Sequence, residues 1–230
     1  MGQMIGYKRP DGKSVPGYLA EPKAGASAPG MVVIQEWWGL NDQIKGVADR
    51  LAGDGYRALV PDLYRGKVTL DRKEAEHLMT GLNFSDAAGQ DVRGAVQYLK
   101  AKSPKVGVTG FCMGGALTIL SAVNIPEADA LVCWYGYPPL EYVDPSKIRA
   151  PLMGHFAIDD VPFPIAKVDE LEKKLRGAGV KFEFYRYKAT HAFANETRVG
   201  KNVLPTVEYS PENAKLAWQR TLAFFDMSLK

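Results

Sequence analysis

Two cysteines and three histidines in 230 residues are too few for a disulfide framework or a Cys/His metal module. H-x-E and C-x-x-C metal spacings are absent, so no metal and no organic cofactor is expected. No apolar run reaches about 18 residues, the length that crosses a bilayer, so no membrane span is expected. Met1 to Ala20 lacks the apolar core of a signal peptide. The net charge of +3 is spread along the chain, and its longest basic clusters are pairs such as Lys173-Lys174. A nucleic-acid partner is therefore not expected. These absences together suit a reducing cytoplasm. The length suits one domain, 1–230, in a monomer or a small homo-oligomer.

What is present alternates. Near-continuous apolar runs at 31–34, 58–60, 106–108, 130–135 and 152–156 read as strands buried on both faces. Between them lie helical spacings: Ile44, Val47, Ala48 and Leu51 after Asn41-Asp42; Val92, Ala95, Val96 and Leu99; Val168, Leu171 and Leu175. A last helix starts at Ser210-Pro211, with Ser210 as N-cap and Pro211 at N1, and puts Ala214, Trp218, Leu222 and Phe225 on its inner face. Such alternation predicts an α/β fold, a mostly parallel sheet with helices on both faces. Segments 4–8 and 15–20 are expected as an antiparallel edge, and no insertion is large enough for a lid domain.

Gly110-Phe111-Cys112-Met113-Gly114 is a G-x-S-x-G nucleophile elbow with cysteine in the serine position. A short apolar run precedes it and a helical pattern follows, the context this motif requires. Glycines on either side remove the Cβ atoms that would clash in so sharp a turn. A sulfur exposed at a helix N-terminus meets the positive end of the dipole, which favours thiolate. A buried structural cysteine in a glycine-rich turn is the competing reading. Cys133, inside Ala130-Leu131-Val132-Cys133-Trp134-Tyr135, reads as core.

A nucleophile needs a base, and the base an orienting acceptor. Among the histidines, His77 precedes Cys112 in a helical pattern, His155 ends an apolar run, and only His191 sits on a loop after a late strand. His191 is the expected base. The acid belongs after the strand ending near Phe156, where Asp159 and Asp160 both qualify by spacing.

These segments resemble the dienelactone hydrolase family of α/β-hydrolases. Gln35-Glu36-Trp37-Trp38-Gly39 is similar to its Q-E-x-x-G, Pro61-Asp62-Leu63-Tyr64 to its P-D-L-Y, and His191-Ala192-Phe193 to its H-x-F. Phe156-Ala157-Ile158-Asp159-Asp160, with Pro164 beyond, is similar to the segment carrying the acid. The motifs run in order over nearly the whole chain. The resemblance implies the α/β-hydrolase fold and hydrolysis of small esters or lactones by a Cys112-His191-Asp160 triad, with Asp160 rather than Asp159 as acid. A thioesterase or acyltransferase of the same fold is the alternative, and a redox-sensing binding protein a more distant one. The resemblance also implies that Glu36 pairs with the resting thiol until substrate displaces it, and that the Met113 and Trp37 amides bind the oxyanion.

The pattern breaks at the substrate pocket. Founding members hold a substrate carboxylate with two arginines. Arg72 stands near the position of one; Asn195, four residues after His191, occupies that of the other. The loop after His191 is long enough for Arg198 to compensate, but Arg198 reads better as a solvated loop arginine. Glu76 and Met79 follow Arg72 on one helical face. Aromatic residues near strand ends, among them Trp38, Tyr64, Trp134, Tyr135, Tyr137 and Phe193, are candidates for the pocket wall. Arg72, Tyr64, Trp38, Asn195 and Phe193 are the expected substrate contacts.

Overall fold

A computed structural model describes residues 2–23, 25, 27–198 and 206–230. Among them, eight strands form one sheet: β1 (Gln3–Lys8), β2 (Ser14–Ala20), β3 (Gly30–Ile34), β4 (Arg57–Pro61), β5 (Val106–Phe111), β6 (Ala130–Trp134), β7 (Leu152–Ala157) and β8 (Phe182–Tyr187). Their spatial order is β1-β2-β4-β3-β5-β6-β7-β8. Every pairing from β4 to β8 is parallel, while β1 and β2 form the antiparallel edge expected from the sequence.

Both faces of the central strands are covered, which is why they read as unbroken apolar runs. On β3, Val32 and Ile34 join one core while Met31 and Val33 join the other. Helix α1 (Asp42–Gly53) packs on the Met31 side. The Val32 side receives α4 (Arg93–Lys100), α5 (Met113–Asn124) and α6 (Ile165–Gly177); the last helix, α7 (Pro211–Leu229), lies with α1. The Asn41 side chain accepts the Ile44 N–H at 3.1 Å and fixes the start of α1, a cap of about 1 kcal/mol. Ser210 does not cap α7 through its side chain; its hydroxyl instead accepts from Asn213 Nδ2 at 3.0 Å. The buried stripe of α7 is Ala217, Trp218, Thr221, Phe224, Phe225 and Leu229, with Ala214 and Leu222 only partly covered.

The span from 61 to 104 is mostly helical, as its pattern suggests, with a loop over 62–71 before the first helix. It contains α2 (Arg72–Thr80), α3 (Phe84–Asp86), a π-helical segment Ala87–Val92, and α4. The π segment was not foreseeable from periodicity. It carries buried Asp91, which pairs with Arg9 at 3.2 Å and Arg65 at 2.7 Å. Among the described residues no helix is long and apolar enough to cross a membrane.

The chain leaves β3 for β4 on one side and reaches β5 on the other. The carboxyl ends of β3 and β5 therefore border the crevice where strand order reverses, the usual place for a ligand in such sheets.

Candidate active site

Residue 112 occupies the turn between β5 and α5 with φ 55° and ψ −116°. This is an unfavourable conformation for a side-chain-bearing residue, costing about 1–3 kcal/mol. The surroundings enforce it. The Cys112 N–H donates to the Trp134 carbonyl at 3.0 Å, and the Cys112 carbonyl accepts from Gly115 at 2.8 Å and Ala116 at 3.1 Å. A Cβ on Gly110 would strike the Gly114 carbonyl, and one on Gly114 the Ile34 carbonyl. The glycines are thus required by close backbone approach.

The sulfur lies 3.2 Å from His191 Nε2, and His191 Nδ1 lies 2.8 Å from Asp160 Oδ2. Asp160 is buried, and its other oxygen accepts the Phe163 N–H at 2.8 Å. Asp159 points elsewhere: both its oxygens face Lys188, at 3.0 and 2.8 Å. His191 follows β8 on a loop that pairs through it with Val207. Burial opposes an imidazolium there, yet the Cys112 sulfur and the Asp160 carboxylate outweigh it and raise the His191 pKa to about 10. His155 is remote from this chemistry. It is enclosed within β7, bonded to Tyr187 Oη and Thr221 Oγ1 at 2.8 Å each, and burial lowers its pKa to about 3.

Glu36 does not touch the sulfur. The resting contact implied by the resemblance is replaced by another arrangement: Asn195 Nδ2 donates to Glu36 Oε2 at 2.7 Å, and Tyr135 Oη donates to Glu36 Oε1 at 3.3 Å. Burial raises the Glu36 pKa, while Arg198, His191 and these two donors act against the rise. A hydrogen bond to a charged acceptor contributes about 1.5–3 kcal/mol, enough to fix the carboxylate's orientation. Tyr135, expected in a strand, stands just beyond β6 with φ 37°. It leaves the strand direction while its N–H stays bonded to the His155 carbonyl at 2.8 Å.

A cavity of about 510 Å³ opens over the sulfur. Glu36, Trp37, Trp38, Arg72, Cys112 and His191 line it, with Met79, Leu70, Phe163 and Arg198. Arg72 and Met79 reach it because the α2 region is tied to the loop after β3. Gly39 bridges to Val68, and the Thr69 N–H donates to the Trp38 carbonyl at 3.1 Å. Among the described residues, neither the Met113 nor the Trp37 N–H donates to a backbone carbonyl in the turns around the site.

Three expected substrate contacts lie outside the cavity wall. Phe193 is fully buried against Trp134, Tyr135 and Tyr187. The Tyr64 hydroxyl turns onto the Met113 sulfur at 3.3 Å. Asn195 is committed to Glu36. Arg198, in contrast, is no solvated loop residue: its guanidinium lies 4.3 Å above the Trp38 ring, in the wall. Short-range turn bonds place it there, since the Arg198 N–H donates to the Asn195 carbonyl at 3.0 Å.

A model of the dienelactone hydrolase family matches residues 15–229. The chain belongs to that family. Dienelactone hydrolases and their relatives act on esters and lactones, so the chain is a hydrolase of that kind. Protein usf of Aquifex pyrophilus is 39% identical over 98% of each chain. A provisionally named carboxymethylenebutenolidase of Aquifex aeolicus is 33% identical over 100% of both. Among solved structures, a provisionally named dienelactone hydrolase of Klebsiella pneumoniae superposes with a TM-score of 0.84 at 28% identity, covering 98% of this chain and 99% of the other.

Two residues that shape the site escaped the sequence reading. Phe163 holds Asp160 by its N–H and packs its ring on His191. An acidic residue whose side chain accepts the N–H three positions on is a familiar turn pattern, and it was legible in Asp160 to Phe163. Thr197 fixes Asn195, donating to its Oδ1 from N at 3.0 Å and from Oγ1 at 2.6 Å. That is the same kind of local turn, two residues long.

Proposed function

We propose that this chain cleaves small esters or lactones through an acyl-cysteine intermediate, with Cys112 as nucleophile, His191 as proton carrier and Asp160 as its orienting acceptor. One observation carries the reading: the continuous contact from Asp160 Oδ2 through both nitrogens of His191 to the Cys112 sulfur, at 2.8 and 3.2 Å, with the sulfur opening into the cavity.

The sulfur, with the imidazolium as counter-ion, attacks the substrate carbonyl carbon. The carbonyl electrons move to oxygen, and the Met113 and Trp37 N–H groups donate to that oxyanion. As the tetrahedral species collapses, the C–O bond to the alkoxide breaks. His191 Nε2 protonates the departing alkoxide, and a thioester remains on Cys112. Acylation removes the sulfur's charge, which supports the imidazolium in the free enzyme. The neutral imidazole then takes a proton from water, and the hydroxide attacks the thioester carbon. The C–S bond then breaks with its electron pair on sulfur, the acid leaves, and the thiolate regains the imidazolium as its partner. In a lactone both products stay on one molecule.

The cavity's charge suits a substrate with an anionic group. Arg72 and Arg198 both line it, so Arg198 takes the part that Asn195 does not play. The test of the reading is turnover of a chromogenic short-chain ester. Cys112→Ala loses on the order of 10⁴ in kcat or more, the scale of triad nucleophile removal, while Cys133→Ala stays near wild type. Retention of more than a few per cent of turnover by Cys112→Ala contradicts it.

A further inference from the structure

Glu36 and Cys112 are neighbours by register. β3 and β5 pair in parallel with Ile34 opposite Gly110, and Glu36 and Cys112 each stand two positions beyond that pair, just past the carboxyl ends of the two strands. Both line the cavity. A carboxylate so placed has two destinations: toward the sulfur, or toward the loop after β8. A carboxylate beside the sulfur would accept a thiol proton and oppose a thiolate by like-charge repulsion.

The loop after β8 decides between them. The Asn195 amide cannot rotate freely, because its Oδ1 accepts from Thr197 N at 3.0 Å and Thr197 Oγ1 at 2.6 Å. Its backbone is held in turns as well, with Asn195 N–H on the Ala192 carbonyl at 2.9 Å and Arg198 N–H on the Asn195 carbonyl at 3.0 Å. The amide oxygen is therefore used up, and the NH₂ is aimed at Glu36 Oε2, 2.7 Å away. Asn195 itself is 1% exposed. A turn that fixes one end of an amide so as to present the other to a buried carboxylate has the form of a latch.

We propose that Asn195 is a positioning residue that holds the Glu36 carboxylate away from Cys112, so that the sulfur and His191 pair before any substrate arrives. The inference rests on the reading of Cys112 as nucleophile. Its consequence is a site that needs no substrate-driven rearrangement to activate its thiol. The titratable and charged groups around Glu36 come from four elements: Cys112 at the elbow, Tyr135 beyond β6, His191 and Arg198 on the loop after β8, and Arg72 of α2 in the same cavity wall. None of these replaces Asn195 as the donor to Oε2.

The experiment is the rate of Cys112 alkylation by iodoacetamide in substrate-free protein, followed from about pH 5 to 10 with peptide mapping. Cys133 is fully buried and does not compete. Asn195→Ala is expected to alkylate about tenfold more slowly than wild type near pH 6 and to converge with it at high pH, a displacement of about one pH unit. Glu36→Gln in the same protein restores the wild-type profile to within about twofold, since a neutral amide cannot repel the thiolate. A purely structural role for Asn195 would not be rescued by removing a charge at residue 36. Should Asn195→Ala fail to fold, Asn195→Asp keeps the side-chain shape, replaces the donor with an acceptor, and is expected to give the same loss and the same rescue. An Asn195 variant that alkylates like wild type overturns the proposal, as does a loss that Glu36→Gln leaves uncorrected. The two levels separate cleanly. If alkylating Cys112 leaves ester turnover intact, the nucleophile reading fails; if alkylation abolishes turnover but the Asn195 variants match wild type, only the latch fails.

Discussion

The Phe163 ring is stacked on the His191 imidazole, centroids 5.5 Å apart and planes 23° from parallel. The same residue's N–H holds Asp160, so Asp160 and His191 are both positioned by one side of one short loop. Tyr137 supports the stack from its edge at 5.1 Å. Phe163→Ala keeps the backbone bond and removes the ring. The expected result is a fall in kcat of about tenfold, as for loss of roughly 1.4 kcal/mol of positioning. Phe163→Tyr should recover most of it. Steady-state kinetics on one ester checks this.

Asp160 and Asp159 differ in what they touch, although they are adjacent. Asp160→Asn should lower kcat by several orders of magnitude, because an amide neither stabilises the imidazolium nor enforces its tautomer. Asp159→Asn loses only an exposed contact to Lys188 and should alter kcat little. Comparable losses in the two variants would move the acid role.

Arg198 should govern selectivity. Arg198→Gln removes a charge from the cavity wall and its stacking on Trp38. A charged hydrogen bond contributes about 1.5–3 kcal/mol, roughly ten- to a hundredfold. The variant should lose that much kcat/KM for a lactone bearing a carboxylate relative to a neutral aryl ester. The ratio of the two specificity constants, in wild type and variant, is the measurement.

His155 predicts an acid-sensitive core. Its pKa is lowered to about 3 by burial, then by Arg220. Between about pH 6.5 and 3 the unfolded chain binds the proton and the folded chain does not, so stability falls as pH falls through that window. Urea midpoints should decline more steeply there in wild type than in His155→Gln, whose baseline stability is lower because Tyr187 and Thr221 lose a partner. Parallel declines would show that His155 is not the titrating group.

The sheet and its helices were legible because their cause is local. Strands covered on both faces must be apolar or have their polar groups paired: β3 and β6 are apolar, while Thr109 on β5 and His155 on β7 are buried with hydrogen-bond partners. The elbow was legible for a similar reason: close backbone approach at Gly110 and Gly114 allows no other residue. The pocket was less so. Asn195, Phe193 and Tyr64 were placed in it by position in a motif, but a motif position does not say which way a side chain turns. Asn195 turns to Glu36 because Thr197 claims its oxygen, and Arg198 turns inward because the Asn195 turn delivers it to Trp38. The π segment at Ala87–Val92 has no periodicity of its own, and its buried Asp91 depends on Arg9, far away in sequence.

Everything proposed for the chemistry depends on the acyl-cysteine. Rapid acid quench of the enzyme during turnover of an aryl ester, followed by peptide mass mapping, tests it most directly. The acyl mass is expected on the peptide containing Cys112, absent from Cys112→Ala and enriched in a variant slowed in water activation. An unmodified Cys112 peptide in an enzyme that is turning over, or an acyl group carried by another residue, would contradict it.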